Sequence, residues 1–397
     1  MEFGFMKRVD YWAGRPLCWL LTLWRRIIPG RPARAMPPER ILIIKPSELG
    51  AIILAFPLIN RLQQQYPQAR ISFLTFAANR SLFEVSRMVP ADQIITLREG
   101  SFGVFLTDVI SALARIRRER YDVVIDLEFF SRFTAIVSFF SGAPKRAGFH
   151  RYSIEGVYRG DLFTHRVPYN PHRHVQQMYL HMISSLDKSF KDTPENDAPD
   201  PDYGTDWRYQ PSDDTRDRIR TKLAAEGVDP AARLYLLAPG EGRIPLREWP
   251  LENFVSLADR ILEDPQARVV VVGLQDPAGR AGHLLNTVRS RDRVTDWVGR
   301  TDLPELLTLF SLAKGVVAAD SGLAHLAALT PVKNYVLFGP EHPRIFQPLG
   351  ENTVVFYLGL PCSPCLSVFN HRNSACRDNL CLKHISVDEV YRSLVDN

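Results

Sequence analysis

A glycine-rich phosphate loop is missing where a doubly wound sheet would carry one. The stretch ILIIKPSELGAIILAFP, residues 41–57, reads as a buried strand, a turn and the first turns of an apolar helix, yet its turn holds one glycine, Gly50. A dinucleotide fingerprint needs two or three closely spaced glycines so that the backbone can approach a pyrophosphate. Lys45, Ser47 and Glu48 stand there instead, which makes the turn a place for side-chain chemistry. Long hydrophobic runs are scarce as well: the apolar stretch Leu17–Trp24 falls far short of the roughly 20 residues that cross a bilayer. No small-residue cleavage site follows it, so it does not read as a cleaved export signal. Charge of one sign is confined to the start of the chain. Residues 1–40 hold eight Lys and Arg against three acidic residues, and the other 357 balance at 41 against 41. A nucleic-acid protein would usually spread its basic excess over a folded face, so this distribution argues against that class. No short-period solenoid repeat is visible.

What is present is a 397-residue chain, 45% hydrophobic and 23% charged, the composition of a folded protein long enough for two domains. Its first 40 residues form a basic amphipathic arm with Trp12, Trp19 and Trp24 beside Arg25, Arg26, Arg31 and Arg34. That is the make-up of an interfacial anchor on an anionic membrane, the alternative being a helix packed on the protein's own surface. The folded part is expected to start at Ile41. From there short Val/Ile/Leu runs alternate with helical patterns, the mark of βαβ units on a parallel sheet. Strands are expected at 41–45, 71–76, 94–97 and 123–127, with helices near 52–65, 79–88 and 104–119 and a kink or tight start at Pro57. Residues 191–214 lie in an acidic, proline-rich stretch without apolar periodicity and read as a linker between domains 41–190 and 215–397. The alternation then restarts, with strands at 234–238, 269–272, 316–319, 335–338 and 354–357 and helices near 251–263, 303–313 and 322–329. Two similar α/β halves leave a cleft that the carboxyl ends of both sheets can face.

The sharpest segment is GVVAADSGLAHLAALTPVKNYVLFGPEHP, residues 315–343. A buried strand ends at Asp320, Ser321 and Gly322 begin a helix, and His325 follows on it. Free backbone N–H groups there suit an anion, while the simpler reading is that Asp320 or Ser321 caps the helix. In the same half APGEGRIPLREWP, residues 238–250, places Gly240, Arg243 and Arg247 just after the first strand. Two arginines and a helix start at one sheet end suit a diphosphate, because guanidinium pairs bidentately with phosphate.

Together DSGLAHLAALTPVKNYVLFGPEHP, REWPLENF and IKPSELGAIILAFP resemble glycosyltransferase family 9, the bacterial ADP-heptose heptosyltransferases, over roughly residues 40–395. The resemblance implies an α/β GT-B architecture, two Rossmann-like domains with parallel sheets facing a central cleft, the nucleotide-sugar donor on the second and the acceptor on the first. It implies that Asp320, Ser321, Gly322 and His325 surround the donor's diphosphate and sugar. Arg247 would stand where the family often has a phosphate-binding lysine. One departure is plain. Family members commonly carry Asp directly after the turn glycine as the proposed general base, and here that position is Ala51.

An inverting transfer needs a carboxylate to take the acceptor hydroxyl's proton. The candidates on the acceptor side are Asp126, ranked first for its place at a strand's carboxyl end, then Glu48, with Glu128 two residues beyond Asp126. His165, Arg166, His172, Arg173 and His174 form either a solvated loop or a receiver for an anionic saccharide. Cys362, Cys365, Cys376 and Cys381 have paired metal-site spacing and are expected to hold a structural Zn or Fe, with free thiols or redox pairs as alternatives. No catalytic cofactor is expected. The resulting expectation is an inverting, metal-independent glycosyltransferase at the cytoplasmic face of a bacterial inner membrane, moving a heptose or related sugar to lipopolysaccharide or another envelope glycoconjugate. Its rivals are a non-catalytic nucleotide-sugar-binding scaffold and an epimerase or hydrolase on the same plan.

Overall fold

The computed structural model describes residues 3–27, 37–150, 158–186, 207–240, 244–273 and 279–396. Contacts divide the chain into two units, Met1–Pro201 and Asp202–Asn397, and the boundary falls inside the expected linker.

The first unit begins with helices α1 (Phe3–Trp12) and α2 (Gly14–Ile27), followed by β1 (Arg40–Ile44), α3 (Leu49–Ile53), α4 (Phe56–Gln65), β2 (Arg70–Phe76), α5 (Arg80–Ser86), β3 (Ile94–Leu97), α6 (Phe102–Glu119), β4 (Val123–Asp126), α7 (Arg132–Phe140), β5 (Lys145–His150), β6 (His165–Pro168) and α8 (Val175–Ser185). Its six strands are all parallel, in the order β3-β2-β1-β4-β5-β6. Residues 41–44 of β1 are wholly buried, as a central parallel strand covered on both faces requires. The helix expected over 52–65 is broken between Ile53 and Phe56. Pro57 lies in the first turn of α4, where its missing N–H leaves no bond unmade. Ser101 and Ser131 cap α6 and α7 by accepting from Val104 N and Thr134 N.

The arm is part of this unit, which corrects the expectation that folded structure starts at Ile41. Cys18 and Leu21 are buried with Ala135, Leu162 and Phe163. Asp10 accepts from Phe133 N at 2.8 Å and lies 3.1 Å from Arg132 Nη1. Arg25 donates to the carbonyls of Asp161 at 2.6 Å and Phe163 at 3.0 Å. Gly160, at φ +67°, lets the chain pass against α2: a Cβ there would sit 2.6 Å from the Cys18 carbonyl oxygen. Burial pushes the Cys18 thiol up to about 11. The opposite face of the arm stays open, with Trp12 75%, Trp19 55%, Trp24 51% and Ile27 80% exposed. Among the described residues no helix is long and apolar enough to cross a membrane.

The second unit repeats the plan with α9 (Asp213–Ala225), β7 (Arg233–Ala238), α10 (Leu251–Ile261), β8 (Ala267–Val271), α11 (Arg280–Thr287), β9 (Val294–Asp296), α12 (Leu303–Leu312), β10 (Gly315–Ala319), α13 (Gly322–Ala327), β11 (Lys333–Phe338), α14 (Pro343–Phe346), β12 (Thr353–Tyr357), α15 (Leu380–Lys383) and α16 (Val387–Val395). Its parallel sheet runs β12-β11-β10-β7-β8-β9. Asp302 and Glu305 form a capping box that starts α12. In both sheets the first strand lies between the second and the fourth, so the winding reverses beside β1 and beside β7. Open α/β sheets hold ligands at the carboxyl ends of the strands at such points.

Candidate active site

The switch point of the second sheet gathers most of the expected donor residues. β7, β10 and β11 are neighbours, with Ala318 opposite Ala238 and Ala319 opposite Leu337. The residues that follow them, Gly240, Asp320 and Glu341, therefore emerge at one edge. Asp320 is 5% exposed, and its N–H donates to the Leu337 carbonyl at 3.1 Å. Ser321 stands at the N-cap of α13 in extended geometry with no side-chain capping bond, so the simple capping reading does not describe it. Ser321 and Gly322 are half-buried, and His325 is buried in the second turn. α13 is only six residues long, so its free N–H groups, rather than a long helix dipole, are what it offers an anion.

Arg247 lies on a 3-10 turn, Pro245–Arg247, and reaches the same edge. Its Nη1 donates to the Asp320 carbonyl at 3.2 Å and its Nε lies 3.5 Å from Asp320 Oδ2. Its Nη2 lies 2.6 Å from Glu341 Oε2. The turn is held from behind by Trp249, fully buried with its indole N–H on the Ile385 carbonyl at 3.1 Å. Arg280 adds a brace, donating to Pro239 O and Glu248 Oε2 at 2.7 Å each. Burial pushes Glu341 up to about 7; Arg247 opposes this and Asp320 adds to it. Burial raises Asp320 as well, against the pull of Arg247. Arg243, an expected donor ligand, lies outside the described residues.

The corresponding point in the first sheet is the turn after β1 and the end of β4. Glu128 spans the two: Oε2 lies 3.0 Å from Lys45 Nζ, and Oε1 accepts from Ser47 N at 2.9 Å and Ser47 Oγ at 2.7 Å. Asp126 turns the other way. It is 0% exposed, its Oδ1 accepts from Glu128 N at 3.0 Å, and its Oδ2 is ion-paired with the buried Arg159. Arg159 is in turn bonded to Thr134 Oγ1 at 3.0 Å and the Ser131 carbonyl at 2.9 Å. Burial raises Asp126 despite Arg159. Both oxygens of Asp126 are thus engaged beneath the surface, and Glu128 braces the turn. Glu48 keeps 30% of its side chain exposed, 3.6 Å from Lys45 Nζ. It adopts φ 67°, ψ 88° at the N-cap of α3, an unusual conformation for a residue with a Cβ.

The sequence model of glycosyltransferase family 9 (heptosyltransferase) matches residues 109–374, more than half of the chain. The chain belongs to glycosyltransferase family 9. It is 26% identical over 327 residues to lipopolysaccharide heptosyltransferase 2 of Escherichia coli strain K12, covering 80% of this chain and 88% of that protein. It is 25% identical over 339 residues to lipopolysaccharide heptosyltransferase 1 of Pseudomonas aeruginosa, covering 82% and 86%. The solved E. coli ADP-heptose lipopolysaccharide heptosyltransferase II superposes with a TM-score of 0.69 at 22% identity, covering 90% of this chain and 98% of that one. An E. coli heptosyltransferase solved with ADP gives 0.62 at 16% identity, covering 90% and 99%. The twin parallel sheets are those of the GT-B fold.

In this family 9 chain Ala51 is 6% exposed, the third residue of α3, three positions after Glu48. N-cap and third helical residue are the two partners of a capping box, so their side chains share one end of the helix. In the basic segment 165–174, read as a solvated loop or an anion receiver, Arg166 is ion-paired with Asp161 and His174 caps α8 through Nδ1, which accepts from Gln176 N at 3.2 Å, while His172 is exposed. The four clustered cysteines are free thiols, Cys381 buried, Cys365 and Cys376 half-buried and Cys362 exposed. Burial, and after it the nearness of Cys365, Cys362 and Cys376, pushes Cys381 up to about 11. Yet among the described residues no three His, Cys, Asp or Glu side chains are arranged to hold a metal. Sequence reasoning passed over Glu341, Arg159 and Arg372, whose Nε lies 2.8 Å from Glu341 Oε1. Glu341 had a readable signal: like Asp320, it is an acid just past a buried parallel strand. Arg372 and Arg159 come from loops distant in sequence and had none.

Proposed function

We propose that this chain is an inverting, metal-independent transferase that moves a heptose or related sugar from an ADP-heptose-like donor to lipopolysaccharide or another envelope glycoconjugate. The work would take place at the cytoplasmic face of a bacterial inner membrane. The observation that carries the reading is Arg247 set against Asp320 beside the open start of α13, at the switch point of the second sheet. A guanidinium and free backbone N–H groups stabilise charge as it grows on a departing diphosphate. The names of the relatives, lipopolysaccharide heptosyltransferases, support this choice of sugar and acceptor class. On the first unit Glu48 takes the role of general base: it is the carboxylate at that turn which keeps solvent access, and it shares a helix end with Ala51. It removes the acceptor hydroxyl's proton as the oxygen attacks the anomeric carbon from the face opposite the leaving diphosphate. The cysteine spacing supports a structural Zn or Fe site apart from this chemistry.

A second reading, a nucleotide-sugar-binding scaffold, is favoured by one observation, the buried Ala51 where the family commonly has its base. Purified chain incubated with ADP-heptose, with and without heptose-deficient lipopolysaccharide, separates the two. The transferase consumes donor only with acceptor present and yields a product of inverted anomeric configuration. A scaffold consumes none, and an epimerase or hydrolase consumes donor without acceptor.

A further inference from the structure

We propose that the carboxylate of Glu341 stands in for a phosphate on Arg247, and that a diphosphate entering this edge displaces it onto Arg372. The inference rests on the donor-site reading above and adds a residue that sets donor affinity.

The geometry is that of a bridge. Glu341 gives one oxygen to each of two guanidiniums: Oε2 lies 2.6 Å from Arg247 Nη2 and Oε1 lies 2.8 Å from Arg372 Nε. A carboxylate anchored twice can release one partner and keep the other. Arg372 comes from the loop between β12 and α15, where it and His371 both hold positive φ, 56° and 53°. Two successive side-chain-bearing residues in that region are strained backbone, held where it delivers the Arg372 guanidinium to Glu341. Its guanidinium packs over the Phe346 ring at 5.2 Å, which fixes it in place.

Charge makes the displacement necessary. With both acids ionised, Arg247 and Arg372 balance Asp320 and Glu341 before any ligand arrives. A diphosphate adds two to three negative charges to a site where both acids are nearly inaccessible, Asp320 at 5% and Glu341 at 1% exposure. Without a response, phosphate and carboxylate would compete for one guanidinium at close range, and like charges there are costly. The charged groups facing Glu341 are Arg247 on its turn, Asp320 at the end of β10 and Arg372 on the late loop. The adjacent His342 is engaged elsewhere, its ring 4.9 Å from that of Tyr357 and its Nδ1 accepting from Arg344 N. With its ionisation already shifted to about 7, Glu341 takes up a proton from solvent when Arg247 is withdrawn and phosphate charge arrives.

Calorimetric titration of the full chain with ADP and with inorganic pyrophosphate, at pH 6 and pH 8 and in buffers of different ionisation enthalpy, tests this. Glu341→Gln should bind both at least tenfold tighter than the parent at pH 8, with a smaller gap at pH 6, and should lose the proton uptake that accompanies binding to the parent. Thermal melting checks that the variant folds, and Glu341→Thr repeats the test if it does not. Parent-like or weaker affinity in the folded variant, with proton uptake unchanged while Arg247→Ala loses at least tenfold, overturns the inference alone. A parent that does not bind ADP, or an Arg247→Ala variant that binds it as the parent does, overturns the donor-site reading beneath it.

Discussion

Glu128 holds Lys45 in a pocket closed to solvent: Oε2 and Nζ are 3.0 Å apart, and the lysine side chain is 0% exposed. The pair ties the end of β4 to the turn after β1, and Ser47 adds two further bonds to the same carboxylate. Removing one member leaves a buried charge without its main counter-ion, which costs about 3–5 kcal/mol. Glu128→Gln and Lys45→Met should each lose stability of that order in urea unfolding. The double variant should lose clearly less than the sum, because the second change removes the charge stranded by the first.

The two remaining acids at this end should separate stability from catalysis. Asp126→Asn strands the Arg159 guanidinium, itself 1% exposed, and is expected to lower the unfolding free energy by about 3–5 kcal/mol. Glu48→Gln changes a partly exposed side chain and should alter stability by no more than about 1 kcal/mol. Its effect should fall on turnover instead, about a hundredfold or more in kcat with donor affinity nearly unchanged. A fully stable Asp126→Asn variant with turnover abolished would restore Asp126 as the base.

Most of the fold was legible because central parallel strands read as unbroken apolar runs: all nine strands read from the sequence are present within a few residues. The three that went unread explain themselves. β5 is KRAGFH and β6 is HRVP, edge-side strands with charged residues, and β9 is the three-residue VTD. Their signal comes from neighbours in space: Gly148 of β5 exists to accept Phe163, which would meet an added Cβ at 2.5 Å. The site was legible in type but not in commitment. A carboxylate at a strand's carboxyl end is visible in the sequence, but whether it faces ligand or an arginine thirty residues away is decided by tertiary structure.

Stability should report on Glu341 through pH. Its carboxyl is raised in the folded state, to about 7 from an ordinary value near 4.5. Between those values the native state binds more protons than the unfolded one, so this group's contribution is fully present below about pH 4.5 and is lost as pH rises through about 7. Glu341→Gln removes that slope. The stability difference between variant and parent should therefore shift in the variant's favour from pH 5 to pH 8 in denaturant unfolding, and a constant difference would show that the site does not titrate.

The cysteine segment makes a separate prediction. Elemental analysis of anaerobically purified protein should find about one Zn or Fe per chain, with the melting temperature falling on chelation. Four titratable thiols and no metal would leave Cys362, Cys365, Cys376 and Cys381 as the free thiols the structure shows.

The arm calls for substitution rather than deletion. Removing residues 1–38 would uncover Ala135, Leu162 and Phe163 and strip Arg132 of Asp10, so lost vesicle binding by such a chain could reflect damage to the first unit. Arg25 is no cleaner a target, since it bonds the Asp161 and Phe163 carbonyls. Trp12, Trp19 and Trp24 are more than half exposed and belong to the outward face. Aromatic and aliphatic groups beside basic residues insert at the headgroup boundary of anionic bilayers. Replacing the three tryptophans with alanine should leave the melting temperature and the turnover of a soluble acceptor analogue unchanged while reducing binding to anionic vesicles at least tenfold. Added salt should weaken the parent's binding in the same assay, because Lys7, Arg8 and Arg15 contribute through screened charge. Undiminished binding by the triple variant would place the membrane contact on another face of the first unit.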